Sequence, residues 1–431
     1  MGYKQNIGSN VLNQIIKIAF GFLVSILIAR ALGPEKQGYV SYILLIIGII
    51  ASYAPFGINN ATVYFQKKQG MDEQNLFQTN TTYLLINFAL IGALFVVLRG
   101  FNLFLNDYSF LYIAGALLFI FFSYITANHN LFFLGDEKIV KSNNYALIAF
   151  FIKSFFITVL YFCSMLNAKQ YFLICVLSVM INAVLLQKKI RFRYRLKMDI
   201  PLLKEEFRYG LIVYFSSLFI YLNYRADQIF IKYLKGNSDL GIYAIAVTLA
   251  ELLFVIPTGI SSALTARLVN TNNEQYTRKT IAQTVKFTFY TSIVLSICGA
   301  LGSFLIPYVY GKAYSPAISA TLILLAGIIF ASIGRVSFPY FFAGGKAKLH
   351  LYITFATFVI NLILNLILIP KTGINGAATA SSISYLLYGS YYIFIFIRKE
   401  NFCFRDFFYI GKEDRLLLYS FAKQTFKRGN Q

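Results

Sequence analysis

Gln37–Gln66, QGYVSYILLIIGIIASYAPFGINNATVYFQ, runs for thirty residues without an Asp, Glu, Lys or Arg. A helix rises about 1.5 Å per residue, so about 20 apolar residues cross the ~30 Å hydrocarbon layer of a bilayer. This stretch therefore predicts a membrane span. Outward from it, residues 74–98, 108–135, 170–187, 287–311, 313–334, 349–370 and 372–397 are equally free of charge. Four more apolar segments carry isolated charges: 9–30 with Lys17, 143–166 with Lys153, 209–232 with Arg225 and Asp227, and 239–265 with Glu251. The chain has 431 residues, 58% hydrophobic and 13% charged, with a mean hydropathy of +0.63. The expectation is an all-α membrane protein of about twelve transmembrane helices, with no stretch left over for a soluble catalytic domain.

Alternate connections differ in charge. Of the 39 Lys and Arg, 27 fall on one side: Lys4, Lys67, Lys68, Lys138, Lys141, the 188–208 loop, residues 267–286, Lys346, Lys348 and the tail. Eight fall on the other: Arg30, Lys36, Arg99, Lys169, Lys232, Lys235, Lys312 and Lys371. The positive-inside rule then places both termini in the cytoplasm. The net charge of +22 becomes a topology signal and calls for no nucleic acid. The first apolar segment is interrupted by Asn10, Asn13, Gln14 and Lys17 and has no small-residue cleavage pattern, so it is expected to stay as a span. Cys163, Cys175, Cys298 and Cys403 show neither metal spacing nor a disulfide framework.

The 188–208 loop, with eight basic residues, sits near the centre of the chain and predicts a division into two six-helix lobes, 1–190 and 209–397. Residues 191–208 would be a basic cytoplasmic linker and 398–431 a basic amphipathic tail. Within that tail Leu417, Leu418, Phe421, Ala422, Thr425 and Phe426 recur at helical spacing, the pattern of a helix lying on an anionic leaflet, with a solvated terminus as the alternative. Gly38-Tyr39 followed by Pro55-Phe56-Gly57-Ile58 is echoed by Gly241-Ile242-Tyr243 followed by Pro257-Thr258-Gly259-Ile260. Two halves of like orientation relate by an axis along the membrane normal, which places substrate between them.

Ionisable groups inside spans are costly and mark function. Lys17 shares a helical face with Asn10, Asn13 or Gln14, and Gly21, a stripe suited to a wet cavity. Tyr214, Ser217, Tyr221, Tyr224 or Arg225, and Gln228 form a matching stripe on the seventh span. Lys153 and Arg335 add positive charge on spans five and ten; Thr357, Asn361 and Asn365 form a polar face on span eleven. Lys17, Lys153, Arg225 and Arg335 outnumber the two intramembrane acids, Asp227 and Glu251. An excess of cations suits a phosphate or pyrophosphate, with Tyr and Asn beside it for sugar hydroxyls. For each of these cations the alternative is a structural ion pair, such as Arg225 with an acid on another helix, or snorkelling to the interface. Asp227 and Glu251 are also candidates for ion coupling.

With His129 and His350 as the only histidines, and no G-x-x-x-x-G-K-[ST] loop, neither a His-based site nor nucleotide hydrolysis is expected. No cofactor is called for. The expected outward loops reach only about ten residues, too short to house a glycan polymerase or ligase. That leaves a transporter.

Ala29-Arg30-Ala31-Leu32-Gly33-Pro34-Glu35-Lys36-Gln37-Gly38-Tyr39 resembles the R-x-L-G-P-x-x-x-G-x-Y segment of Wzx-type flippases, in the multidrug/oligosaccharidyl-lipid/polysaccharide superfamily. Asp227-Gln228-Ile229-Phe230-Ile231 followed by Gly241-Ile242-Tyr243 is similar to that family's D-x-x-x-I and G-x-Y segments at spans seven and eight. The resemblance covers about residues 1–397. It implies two six-helix lobes in a V and an undecaprenyl-pyrophosphate-linked oligosaccharide as substrate, for O-antigen or capsule synthesis. It also implies a cationic central cavity for the head group, the polyprenyl tail staying in lipid at a lateral gap, and a polysaccharide polymerase and chain-length regulator as partners. Arg30, Gly33, Pro34, Gly38 and Asp227 match motif positions; Lys17, Lys153 and Arg335 follow from placement alone. Relatives that flip the peptidoglycan precursor have fourteen spans, so twelve favours surface polysaccharide. The competing expectation is a multidrug or organic-cation antiporter of the same superfamily, which would need buried acids.

Overall fold

In the computed structural model, which describes residues 3–68, 70–269 and 274–411, the apolar runs are helices, and no strand occurs among the described residues. Side chains are described from residue 16 onward except at 60, 139, 262, 263, 265–267 and 269. The predicted amphipathic segment around Leu417–Phe426 lies outside the described residues.

Helix α1, Tyr3–Tyr53, holds two crossings. It would extend about 75 Å if straight, but Gly33 adopts φ 66°, ψ 172°, and Pro34 follows it, so the chain reverses there. The second crossing continues past a break at Pro55–Gly57 into α2, Ile58–Lys67. Phe56 and Gly57 both have positive φ, and a Cβ on Gly57 would come within 2.8 Å of the Tyr214 Cβ. Four single crossings follow: α3 (Glu73–Gly100), α4 (Phe110–Gly135), α5 (Ile139–Phe162) and α6 (Ala168–Gln187). Asp72 caps α3, and Asn167 with Gln170 forms a capping box on α6.

The second half opens with α7, Ile200–Lys235, whose 36 residues give about 54 Å of helix. It is not among the ten helices that are long and apolar enough to cross by composition alone, because polar residues such as Tyr221, Asn223 and Arg225 interrupt its apolar run. The eighth crossing is α8 (Asn237–Glu251), a short 3-10 turn, and α9 (Val255–Val269). Then come α10 (Glu274–Ser303), the short α11 (Ile306–Val309), α12 (Ala317–Ala343), α13 (Ala347–Thr372), α14 (Ile374–Lys399) and α15 (Phe404–Phe408). Counting α1 twice and adding α7 gives twelve crossings of a multi-pass membrane protein.

Without a hydrophobic drive between helices in lipid, close packing at small residues carries association. Gly327 lies against Ser382, Gly334 against Tyr388 and Gly389 against the Phe330 carbonyl, so α12 and α14 share a glycine seam. The closest approach joins the two halves. A Cβ on Gly38 would fall 1.8 Å from the Asn237 carbonyl oxygen, and one on Gly241 would fall 1.9 Å from the Pro34 carbonyl oxygen. Gly33 and Gly236, each with positive φ and ψ near 180°, start the two helices that cross there. The contact is thus reciprocal between equivalent positions of the echoed segments. The largest buried apolar cluster surrounds it, drawing Val40, Ile43 and Ile47 together with Tyr243, Ala246 and Leu324.

Candidate functional site

Arg30, in the quoted motif, donates from Nε to the Val309 carbonyl at 2.7 Å and from Nη2 to the Tyr308 carbonyl at 2.6 Å. The Tyr314 hydroxyl donates to Gln37 Oε1 at 2.6 Å and lies 3.2 Å from the Ala29 carbonyl. Tyr42 donates to the Tyr233 hydroxyl, and Lys232 pairs with Asp107. Arg30, Gly33, Pro34 and Gly38 therefore belong to one seal between the halves, at the end that the charge count turns outward.

Beneath the seal, the intramembrane cations part company. Arg225 is paired with Glu251 at 2.7 Å, α7 to α8. Arg335 has no carboxylate within ion-pair distance among the described residues: Nη1 donates to Thr258 Oγ1 at 2.7 Å, and its guanidinium lies 4.1 Å from the Phe254 ring centroid. It lines a cavity of about 270 Å³ with Ser216, Ser217 and Tyr224 of α7, His350 of α13 and Tyr388 of α14. Two hydroxyls and two tyrosines beside a guanidinium that has no carboxylate in direct contact among the described residues can receive an anion and the polar groups attached to it.

Lys17 is half-buried on α1, and Lys153 lies over the Phe150 ring at 6.0 Å on α5. Their helices meet at Phe20 with Phe151 and at Gly21 with Phe150, in the first half, apart from the Arg335 cavity. Asn10 and Gln14 fall within α1, but their side chains lie outside the described residues. Tyr221 stacks toward Tyr53 across the halves, where Tyr53 donates to the Ser217 carbonyl and Tyr214 to the Tyr53 carbonyl, each at 3.0 Å.

Asp227, Gln228, Asn361 and Asn365 are enclosed between helices and do not line the open cavity. The Asp227 carboxylate accepts from the Tyr243 hydroxyl, from Ser381 Oγ at 2.8 Å and from the Gln228 backbone N–H at 2.7 Å. Asn361 reaches Ser384 at 3.3 Å, and Asn365 donates to Asn361 at 2.8 Å. One turn from Asp227, Asn223 is fully buried and neither of its amide atoms has a partner among the described residues. The motif aspartate thus anchors a closed polar cluster across α7, α8, α13 and α14.

Sequence reasoning missed one buried acid, Glu206, fully enclosed near the start of α7. It stands among the charges of the 188–208 loop, which hid it. The signal was available: 206, 210, 214, 217 and 221 recur at helical spacing, so the polar stripe of α7 extends one turn further than its hydrophobic pattern.

A family model described as "Polysaccharide biosynthesis protein" matches residues 3–268, and a second, "MatE", matches residues 213–367. A Staphylococcus aureus protein described as "Capsular polysaccharide biosynthesis protein CapF" is 26% identical over 404 residues, 90% of this chain and 96% of that one. A Shigella flexneri protein described as "Putative O-antigen transporter" is 23% identical over 401 residues, 85% and 93% of the two chains. Among solved structures, an inward-facing multidrug resistance MATE transporter superposes with a TM-score of 0.68 at 14% identity, covering 89% of this chain and 95% of the other. The lipid II flippase MurJ in an inward closed conformation superposes with 0.67 at 16% identity, covering 92% and 88%.

Proposed function

Since the chain belongs to the polysaccharide biosynthesis protein family, among the flippases of the multidrug/oligosaccharidyl-lipid/polysaccharide superfamily, we propose that its cargo is an undecaprenyl-pyrophosphate-linked oligosaccharide. The unit would cross the bacterial cytoplasmic membrane by alternating access, for O-antigen or capsule synthesis, with both termini in the cytoplasm. Two lobes, 1–190 and 209–397, would move about the 191–208 linker. The observation that carries the substrate class is Arg335, a guanidinium with no carboxylate partner among the described residues, in a cavity lined by hydroxyls and tyrosines. It would hold the pyrophosphate by charge-assisted hydrogen bonds, while Tyr224 and Tyr388 pack against sugar faces.

Lys17 and Lys153 on the first lobe would complete the cationic path as the lobes exchange positions. Arg225 contributes charge only if its pair with Glu251 opens. A separate apolar cavity of about 510 Å³ runs between Phe22 of α1 and Leu249, Leu295 and Leu325 of the second half. It suits a polyprenyl chain, which gains nothing from polar walls. Asp227 and Glu251 remain candidates for ion coupling, and a polymerase and chain-length regulator for partners.

Arg335→Ala and Arg335→Lys, reconstituted in proteoliposomes with a fluorescent lipid-linked oligosaccharide, test this reading. Loss of a charge-assisted contact worth roughly 1.5–3 kcal/mol should slow translocation about tenfold to a hundredfold in the Ala variant, with Lys intermediate. Unchanged translocation, with altered ethidium efflux in the same vesicles, would instead favour a cation antiporter.

A further inference from the structure

Glu206 presents a chemical imbalance. Its carboxyl is fully buried between α7 of the second half and α2 and α3 of the first. Oε1 lies 3.3 Å from Asn80 Nδ2 and 3.4 Å from Thr62 Oγ1. Among the described residues Oε2 has no partner, and neither has Asn80 Oδ1, in the same enclosed cluster. Thr62 already has the Ile58 carbonyl 3.0 Å away, and Asn80 Nδ2 also reaches Thr62. Acceptors therefore outnumber donors.

Among the described residues, none of the surrounding elements supplies a counter-charge. Lys67, at the end of α2, is exposed, its neighbour Lys68 pairs with Glu205 at the exposed rim, and Gln66 turns to Asp136 at the end of α4. Asp136 in turn is held by Lys138 and Arg191. Asp72 and Glu73 stand at the far start of α3, Arg191 taking Glu73, and His129 of α4 contacts Tyr194. On α7 itself Lys204 and Arg208 are exposed. A carboxylate buried with neutral partners alone is costly, and a protonated one brings the O–H that the cluster lacks.

We propose that Glu206 is a proton-binding site of this transporter, and that its protonation holds the two halves together at their cytoplasmic end. The proposal rests on the alternating-access reading above. Asp227 offers the contrast: its carboxylate accepts from three donors and is satisfied while ionised, whereas Glu206 is satisfied only when it carries a proton.

Glu206 precedes the membrane-crossing part of α7, and burial raises its carboxyl to about 8. A raised value means that the contact is fully supported below the ordinary carboxyl range and is lost as pH rises through about 8. When the halves part, water reaches the carboxyl and the proton leaves to the cytoplasmic side. Proton binding and lobe contact are then linked reciprocally.

Spin labels at Lys67→Cys and Lys204→Cys, with Cys163, Cys175, Cys298 and Cys403 replaced by Ser, report the separation in nanodiscs by pulsed electron resonance without substrate. The short-distance population should give way to a longer one between pH 6 and pH 9.5, with a midpoint near 8. Glu206→Gln, a neutral mimic of the protonated form, should stay short throughout. Asn80→Asp sets a second acid against the carboxyl and should move the midpoint upward. A wild-type distribution that ignores pH overturns the proposal, and so does a Glu206→Gln protein that responds like wild type. The wild-type series decides even if a variant fails to insert. In an Arg335→Ala background the pH response should persist, so failure of this site and failure of the substrate reading are separable.

Discussion

The two halves meet at both ends of the bundle, but through different chemistry. At the end that would face outward Gly38 and Gly241 bring helices to carbonyl contact, and Arg30 ties the α10–α12 connection through two carbonyls. At the end proposed to be cytoplasmic the halves meet through side chains, Thr62 and Asn80 with Glu206 and Lys68 with Glu205. A seal set by backbone shape is indifferent to pH and intolerant of any added atom. A seal set by a buried carboxyl tolerates changes of shape but depends on a proton. In the proposed alternating-access cycle one latch would be governed by sterics and one by protonation, and the two can be disturbed separately.

The largest effect should come from Gly38→Val or Gly241→Val. Each puts a Cβ within 2 Å of a carbonyl oxygen that belongs to a helix start and cannot yield. Overpacking here should cost about 3 kcal/mol or more, seen as a lower melting midpoint by fluorescence-detected size exclusion. Should either variant melt like wild type, the outer seal is not sterically set. Arg30→Ala should have a middling effect: removing two charge-assisted bonds to backbone carbonyls weakens the seal by roughly 1.5–3 kcal/mol. A cysteine at Ser315 should then become more reactive to an impermeant thiol reagent, with the native cysteines replaced; equal reactivity with and without Arg30 would remove it from the seal. Smallest of all, Lys68→Ala with Glu205→Ala should change the melting midpoint little, since an exposed pair is worth about 0–1 kcal/mol. A large drop would mean that the cytoplasmic contact depends on this rim pair rather than on the buried carboxyl.

Composition and charge spacing determined much by themselves: an all-helical membrane protein, twelve crossings, and a basic loop between chain halves. These are legible because lipid forces each segment to satisfy its own backbone within a fixed thickness, so every span is written locally. The excess of intramembrane cations was visible too, and so were the glycines of the echoed segments. Tertiary structure alone decided which of those residues act together. Arg225 met Glu251 directly, while among the described residues the Arg335 guanidinium touches a hydroxyl and aromatic rings, although both are single arginines in apolar runs. Asn361 and Asn365, equally suited by pattern to a wet face, were closed around Asp227 by α13 and α14. Glu206 looked like one more charge in a basic loop until α2 and α3 covered it. Helical spacing assigns a residue to a face, but charge neutralisation and burial depend on what another helix places opposite, and that partner lies from 26 to 154 residues away in the contacts that matter most here.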